Sequence, residues 1–279
     1  MKEEVRTLAV VSKITLHKKR KDRYHIYLQQ DGKEQYAFTV NEDVLVKHGI
    51  QKGLELNDGQ ITVIKKDEEK SKAYNRALYY LSFRMRTVKE MNDYLRDQEI
   101  TDEEKDEILE RLIGMNLLDD QSFADAYVRT KKNTQKKGPM KIKMELKEKG
   151  VADKHIDHAL KQYTYAEQYD QAYELAEKKQ RTYKSDSIQK IKQKLTQFLI
   201  QKGFSSTVAG EVLKELDFTG EHEAIEREAL QKHAEKAVRK YKKYDSWEKE
   251  RRIKQHLYGK GFPFDKIDRW LEDWKAGEE

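Results

Sequence analysis

The chain has no cysteine and only 2 prolines among its 279 residues. The lack of cysteine excludes disulfide bonds, thiolate zinc sites and cysteine nucleophiles, and it is typical of proteins in a reducing compartment. No apolar stretch approaches the roughly 20 residues that a membrane-spanning helix needs, and the first residues lack the apolar run of a signal peptide. We therefore expect a cytoplasmic protein that does not contact membranes.

Charged residues are the largest feature of the composition. Charged residues make up 39% of the chain and apolar residues 37%, and the formal net charge is +6. An apolar fraction this low suits small stacked units with much surface better than one large core. The scarcity of proline and the abundance of charge together favour long, exposed helices.

The front of the chain has the alternating pattern of half-buried strands. The apolar members of this pattern are Ile14, Leu16, Tyr24, Ile26, Leu28, Tyr36, Phe38 and Val40, with a last apolar run at 61–64. Asp31-Gly32 predicts a hairpin turn, and Asn41 predicts the N-cap of a short helix that stops at Gly49. We predict a small antiparallel β-rich domain over 1–66 and a polar linker over 67–72.

A short apolar-basic phrase recurs four times, at 94–100, 145–151, 198–204 and 256–262. Its leucines are separated by 51, 53 and 58 residues and are Leu95, Leu146, Leu199 and Leu257. In each copy an amphipathic helix ends, and an apolar residue follows before the next helix begins. A period of this length indicates stacked supersecondary units.

The phrases predict four three-helix repeats, over 73–118, 119–165, 166–220 and 221–279. The expected fold is mainly α: an elongated array of tandem three-helix repeats behind the small antiparallel β-rich domain. Three of the phrases should end their helix with a glycine in a left-handed or otherwise glycine-permissive conformation, at Gly150, Gly203 and Gly261. Gly138-Pro139 should begin a helix, because proline at the first helical position lacks only an N–H that would be unbonded.

Basic residues collect where the first helix of each repeat runs into the second, whereas the third helices are acidic. In the second repeat, nine basic residues stand against two acidic ones within 129–149. Recurrence of this excess makes a groove or ridge for a long polyanion or a charged filament one of two interpretations. The alternative is a set of solvated helix ends whose lysines complement the helix dipole.

Patterns for catalysis and cofactor binding are missing from the sequence. It has no glycine loop for phosphate, no serine nucleophile elbow and no zinc-ligand spacing. Asp119-Asp120 suits helix capping, and His155 and His158 lack a third metal ligand. We therefore predict a protein that is not an enzyme and uses no metal or cofactor. The basic run at 18–23 either contacts a phosphate backbone or forms a solvated loop.

Two segments resemble the RecX family of bacterial recombination regulators. In the second repeat the matching residues are 117–124, Tyr127-Val128, 138–142 and 145–151. In the first repeat they are Ala77-Leu78, 84–87, Glu90 and Leu95. The resemblance covers the chain from about Ala73 onward and is looser in the last two repeats. The β-rich front is similar to an extension found in longer family members from Gram-positive bacteria.

The resemblance implies a non-enzymatic modulator that binds the RecA filament on single-stranded DNA. Such a protein would inhibit ATP hydrolysis, strand exchange and coprotease action, and so regulate DNA repair, homologous recombination and the SOS response. Together with the recurring charge, the resemblance identifies eight candidates for binding RecA or DNA: Arg84, Arg86, Lys131, Lys132, Lys136, Lys137, Lys141 and Lys143. We expect a monomer, with these side chains outside the core.

Two alternatives stay open at this point. One is a stand-alone helical-repeat protein that binds DNA or RNA through its basic edge. The other is a nuclease or ATPase with an unfamiliar site.

Overall fold

The protein is mainly α with a small antiparallel sheet at the front, as the sequence predicts. A computed structural model describes residues 8–276. These residues form two compact units. The first unit contains the described residues up to Phe123 together with Lys149–Val151, and the second contains the rest.

The sheet of the first unit has four antiparallel strands in the order β3-β2-β1-β4. The strands are β1 (Ala9–Leu16), β2 (Arg23–Gln30), β3 (Lys33–Asn41) and β4 (Glu55–Leu56). Asp31 and Gly32 join β2 to β3 with φ of +51° and +76°. Positive φ at both positions is typical of a type I′ hairpin turn, so the predicted hairpin is confirmed.

One face of the sheet packs against two helices, α1 (Glu42–Lys47) and α2 (Asp58–Ser82). The buried residues of this core are Ala9, Val11, Ile26, Leu28, Phe38, Val40, Val44, Ile50, Leu56 and Ile64. The predicted N-cap of α1 is confirmed, since the Asn41 side chain accepts a hydrogen bond from the Val44 backbone N–H at 2.8 Å.

The predicted strand at 61–64 and the predicted linker at 67–72 are wrong, because both lie inside α2. This helix begins with a capping box in which Asn57 and Gln60 exchange backbone and side-chain hydrogen bonds. A run of β-branched residues is ambiguous between strand and helix, and the capping box decides for the helix.

The burial of the same run has helical spacing. Ile61 and Ile64, three residues apart, pack on the sheet, whereas Val63 is exposed. A strand would have placed Ile61 and Val63 on the same face.

The polar segment taken for a linker contains a buried carboxylate, Glu68. Its side chain pairs with Arg23 and accepts a hydrogen bond from the Asn41 backbone N–H at 2.8 Å. Burial raises the pKa of Glu68, and the two donors partly offset this effect. The carboxylate thus ties the middle of α2 to the ends of two strands.

The remaining helices fall into groups of three. The first unit holds α3 (Val88–Arg96) and α4 (Asp102–Gly114), which form a repeat with the end of α2. The other helices are α5 (Asp120–Gln135), α6 (Pro139–Glu148), α7 (Asp153–Leu160), α8 (Tyr165–Gln180), α9 (Ile188–Lys202), α10 (Ser206–Glu215), α11 (Glu221–Lys240), α12 (Ser246–Gly259) and α13 (Phe264–Ala276). No helix within 8–276 is long and apolar enough to cross a membrane.

The phrase leucines belong to different cores. Leu95 packs among residues of α2, α3 and α4 in the first unit. Leu257 packs with residues of α11, α12 and α13 in the second. The first and last repeats therefore have separate apolar centres, as expected for stacked units.

The recurring phrase also makes a contact that its sequence does not predict. In each of the first three repeats, a residue at the start of the second helix donates a hydrogen bond to a backbone carbonyl in the next repeat. The accepting residue is the lysine directly before the glycine of that next repeat's phrase. The three bonds, of 2.8, 2.8 and 3.0 Å, join the Thr87 hydroxyl to Lys149, the Gly138 N–H to Lys202, and the Ser187 hydroxyl to Lys260. Each bond lies inside one compact unit.

The glycines at these contacts are required by conformation and by space. Gly203 has a φ of +96°, and an added Cβ would overlap the backbone N of Lys141. Gly150 and Gly261 also have positive φ. The first phrase has Glu99 at this place, which is exposed and needs no such approach.

Candidate functional site

The eight candidate cations divide between the two units. Arg84 and Arg86 lie in the loop between α2 and α3 of the first unit. The six lysines lie around the turn between α5 and α6 of the second unit: Lys131, Lys132, Lys136, Lys137, Lys141 and Lys143. We call these six residues the lysine junction.

The backbone of the lysine junction is held against the end of α9. After α5 ends, Lys136 adopts a φ of +45°, an uncommon conformation for a residue with a side chain. An added Cβ on Gly138 would overlap the backbone of Gly203, so these two backbone segments are in direct contact. The Met140 N–H donates to the Gly203 carbonyl at 3.0 Å. The turn is therefore a fixed platform for its lysines.

Lys132 departs from the expectation that all the candidates lie outside the core. Only 8% of the surface of Lys132 is exposed. The ammonium donates to the Gln162 carbonyl at 3.0 Å and to the Glu167 carboxylate at 2.7 Å. The hydrogen bond from Lys132 lowers the pKa of Glu167. The physical reason is its place on α5, where the side chain points toward the end of α7.

Two more lysines of the junction, Lys137 and Lys143, are paired with acids on α6 and α7. Lys137 contacts Glu145 at 2.5 Å, and Lys143 contacts Asp157 at 2.6 Å. Burial alone would raise the pKa of Glu145, but hydrogen bonds from Lys137 and the Tyr127 hydroxyl lower it. The hydrogen bond to Asp157 raises the pKa of Lys143. Pairing of this kind reduces the charge that the junction offers to a partner.

Lys136 is paired as well, with Glu174 of α8. Within the described part of the chain, Lys131 and Lys141 have no carboxylate within 4 Å. The ammonium of Lys131 lies 5.0 Å from the centre of the Tyr127 ring. Among the described residues, Lys131 and Lys141 are therefore the members of the junction that form no ion pair, although the charge of Lys131 helps to lower the pKa of Glu145.

The two arginines of the first unit have different surroundings. Arg84 is exposed and contacts Glu90 at 3.0 Å, and Glu90 also receives a hydrogen bond from Lys149 at 2.8 Å. The Arg86 guanidinium lies 3.8 Å from the centre of the Tyr80 ring. Its buried Nε has no hydrogen-bond partner among the described residues. Arg84 is thus accessible, whereas Arg86 is held on an aromatic face.

Exposed methionines accompany the junction on α6. Met140 is 63% exposed and Met144 is 50% exposed. Residues four apart lie on one face of a helix, so the two form an apolar stripe beside Lys141 and Lys143. Amines of mixed accessibility next to exposed methionine can bind an acidic surface that is partly apolar.

Sequence reasoning missed one role in the acidic pair. Asp119 accepts hydrogen bonds from the backbone N–H groups of Gln121 and Ser122 and so caps α5, as predicted. Asp120 instead accepts the Val88 N–H at 2.9 Å, at the start of α3. Glu226 repeats this contact with the Ile188 N–H at 2.7 Å. No local pattern could reveal a cap on a distant helix.

Within 8–276, no group of three or more His, Asp or Glu side chains is placed to hold a metal ion. His158 lies 4.0 Å from Asp125.

The fold and the lysine junction define a tandem three-helix-repeat protein with an antiparallel sheet at its front. Four family models match successive parts of the chain. They are the regulatory protein RecX N-terminal domain at 9–57 and the first, second and third RecX three-helix domains. The three-helix models match 73–112, then 119–160, then both 166–213 and 225–271.

Curated relatives match over nearly the full length. Regulatory protein RecX of Bacillus cytotoxicus is 42% identical over 265 residues, covering 95% of this chain and 98% of the relative. Regulatory protein RecX of Halalkalibacterium halodurans is 42% identical over 268 residues, covering 95% of this chain and 100% of the relative.

Solved structures agree with these matches. A crystal structure of regulatory protein RecX is 42% identical, with a TM-score of 0.66 over 74% of this chain and all of that one. The crystal structure of RecX from Lactobacillus salivarius is 40% identical, with a TM-score of 0.53 over 55% of this chain and 99% of that one. The chain belongs to the RecX family of regulatory proteins.

Proposed function

We propose that this protein binds the RecA filament on single-stranded DNA and mainly inhibits RecA. Inhibition would extend to ATP hydrolysis, strand exchange and coprotease action, and would regulate DNA repair, recombination and the SOS response. The observation that carries this proposal is membership of a family of regulatory proteins along 95% of the chain. The protein would act without catalysis of its own, as a monomer, in the cytoplasm where the chromosome lies.

The lysine junction supports a contact with protein at least as well as one with DNA. Its charge is largely paired with acids of the same unit, and its apolar stripe of Met140 and Met144 suits a protein surface. A partner with acidic groups can exchange places with the internal carboxylates, and the methionines can adapt to its apolar part. Several weak contacts of this kind add up when the partner is a repeating filament.

The test is a titration of this protein into the ATPase reaction of RecA on single-stranded DNA. A charge-reversal variant carries Lys131→Glu, Lys141→Glu and Lys143→Glu. We expect it to inhibit with at least about tenfold weaker apparent affinity, because reversed charges oppose an acidic partner.

A matched control reverses three exposed lysines of the same unit, Lys161→Glu, Lys214→Glu and Lys236→Glu. The control has the same net charge and should inhibit like the parent protein. Equal inhibition by the junction variant and the parent would remove the junction from the binding surface. Absence of inhibition by the parent, with tight binding to bare oligonucleotide, would favour a stand-alone nucleic-acid-binding protein.

A further inference from the structure

The outer face of the sheet, opposite the apolar core, carries an ordered set of rings. Strand register aligns Lys13 with Tyr27 and Tyr27 with Tyr36. The next row aligns Thr15, His25 and Thr39. Side chains alternate along a strand, so these two rows share the face that points away from α1 and α2.

The rings of this face lie within contact distance of one another. Tyr36 is 55% exposed, and its ring centre lies 6.0 Å from that of Tyr27 and 5.9 Å from that of His25. His25 in turn lies 5.0 Å from His17. Tyr36 is the exposed member and lies on the edge strand β3, with the half-buried Tyr27 and His25 beside it on β2. Adjoining rings on a solvent-facing sheet surface are a candidate contact surface. We call Tyr27, Tyr36, His25 and His17 the ring face.

A strongly basic loop joins β1 to β2 at the edge of the ring face. Its basic residues are Lys18, Lys19, Arg20 and Lys21. The His17 Nδ1 accepts hydrogen bonds from the backbone N–H groups of Lys19 at 3.1 Å and Arg20 at 3.3 Å. The loop is therefore folded back on a member of the ring face.

The charge of this loop is not neutralised internally. Across 8–276, no carboxylate lies within 4 Å of Lys18, Lys19, Arg20 or Lys21. Four of the six lysines in the junction are paired with acids, so the loop offers more available positive charge than the junction. A polyanion is the partner that such a loop complements.

We propose that the ring face and its basic loop form a binding site for single-stranded DNA. Unpaired bases would stack on Tyr36 and Tyr27, and the phosphates would lie along the loop. Duplex DNA keeps its bases inside the helix, so the rings could not reach them. This inference deepens the proposed function, because single-stranded DNA is one component of the filament.

The test measures fluorescence anisotropy of a labelled oligothymidylate with the full-length protein. The double variant Tyr27→Ala/Tyr36→Ala should bind about tenfold or more weakly, since stacking on each ring contributes strongly to affinity. The variant Tyr27→Phe/Tyr36→Phe keeps both rings and should bind like the parent. The control Trp247→Ala/Tyr258→Ala removes two exposed rings of the second unit and should also bind like the parent.

An abasic oligonucleotide of equal length separates stacking from charge. Parent and alanine variant should bind it equally. The variant Lys18→Gln/Lys19→Gln/Lys21→Gln should flatten the slope of log affinity against log salt by about 2, at roughly 0.7 per phosphate contact.

Four results would overturn the proposal: parent-like binding by the alanine variant, an equal loss on the abasic strand, equal binding of blunt duplex, or tighter binding of oligouridylate. RecA ATPase inhibition is measured on the same preparations. If the parent fails to inhibit RecA, the proposed function falls, while the oligonucleotide comparison still decides the role of the ring face.

Discussion

At the scale of single residues, Gly203 carries two constraints at once. Its left-handed φ costs any other residue about 1–2 kcal/mol. An added methyl would also meet the backbone of Lys141, and overpacking of this kind costs about 1–3 kcal/mol. We expect Gly203→Ala to lower the free energy of unfolding of the second unit by about 2–5 kcal/mol, measured by urea denaturation with tryptophan fluorescence as the probe.

Gly210 provides the matched control for this substitution. It lies inside α10, and nothing lies within 4 Å of an added Cβ. Gly210→Ala should leave stability unchanged or raise it by up to about 1 kcal/mol, because alanine favours helix. Similar effects of the two substitutions would show that the contact between Gly203 and α6 contributes nothing.

Lys132 should behave as a core residue in spite of its charge. Lys132→Met removes the side-chain donor of the Gln162 carbonyl and the ion-pair partner of Glu167, which keeps its hydrogen bonds from Thr164. We expect a loss of about 1–3 kcal/mol in thermal or urea unfolding, the cost of an unsatisfied buried group. Lys141→Met, at a position without a carboxylate partner, should change stability by less than about 0.5 kcal/mol. Equal stability of the two variants would contradict the buried role.

Residue identity predicted the backbone conformation of the glycines correctly, but it did not predict which lysines are buried or paired. A glycine after an amphipathic helix has a local physical meaning, and Gly150, Gly203 and Gly261 all have positive φ. The burial of Lys132 depends on α7, which lies about thirty residues further on and packs beside α5. Local sequence carries no information on that approach, so a basic run alone does not separate free charges from paired ones.

At the scale of elements, the start of α3 depends on the charge of Glu90. Burial alone would raise the pKa of Glu90, but the hydrogen bonds and charges of Arg84 and Lys149 lower it from 4.5 to about 2. A depressed folded-state pKa contributes stability that is present above about pH 4.5 and is lost as the pH falls toward 2. The contribution is about 1–2 kcal/mol after allowance for solvent screening.

The substitution Glu90→Gln tests this linkage. Glutamine still serves at the N3 position of a capping box, so only the charge is removed. Hydrogen exchange of α3 amides should be faster in the variant than in the parent at neutral pH, and the difference should shrink between pH 5 and 2. Glu110→Gln, an exposed site on α4, should match the parent at every pH. A difference that persists at pH 2 would point to lost packing rather than lost charge.

The helices and strands show which sequence patterns are enough to predict secondary structure. Alternation predicted β1 to β3, and Asn41 predicted the N-cap of α1. The apolar run at 61–64 predicts a strand, although β-branched residues are ambiguous between strand and helix. The capping box of Asn57 and Gln60 is the signal that separates the two structures, and it favours the helix.

At the scale of the whole molecule, the front sheet and the first repeat share one helix. Ile64 of α2 is buried in the sheet core, whereas Ala73 and Ala77 of the same helix are buried in the core of the first repeat. Both parts belong to the same compact unit. The ring face and the Arg84 loop are therefore joined by continuous helix rather than by a linker.

A shared helix makes the first unit cooperative, and Ile64→Ala tests this. The substitution removes buried methyl groups and should cost about 2–4 kcal/mol. If the unit unfolds as one body, amide exchange in β2 and in α3 should accelerate by the same factor, because both exchange through the same global opening. Val63→Ala changes an exposed neighbour on α2 and should leave both rates unchanged. Acceleration confined to β2 would mean that the sheet opens independently, and α2 would then act as a tether between two separate bodies.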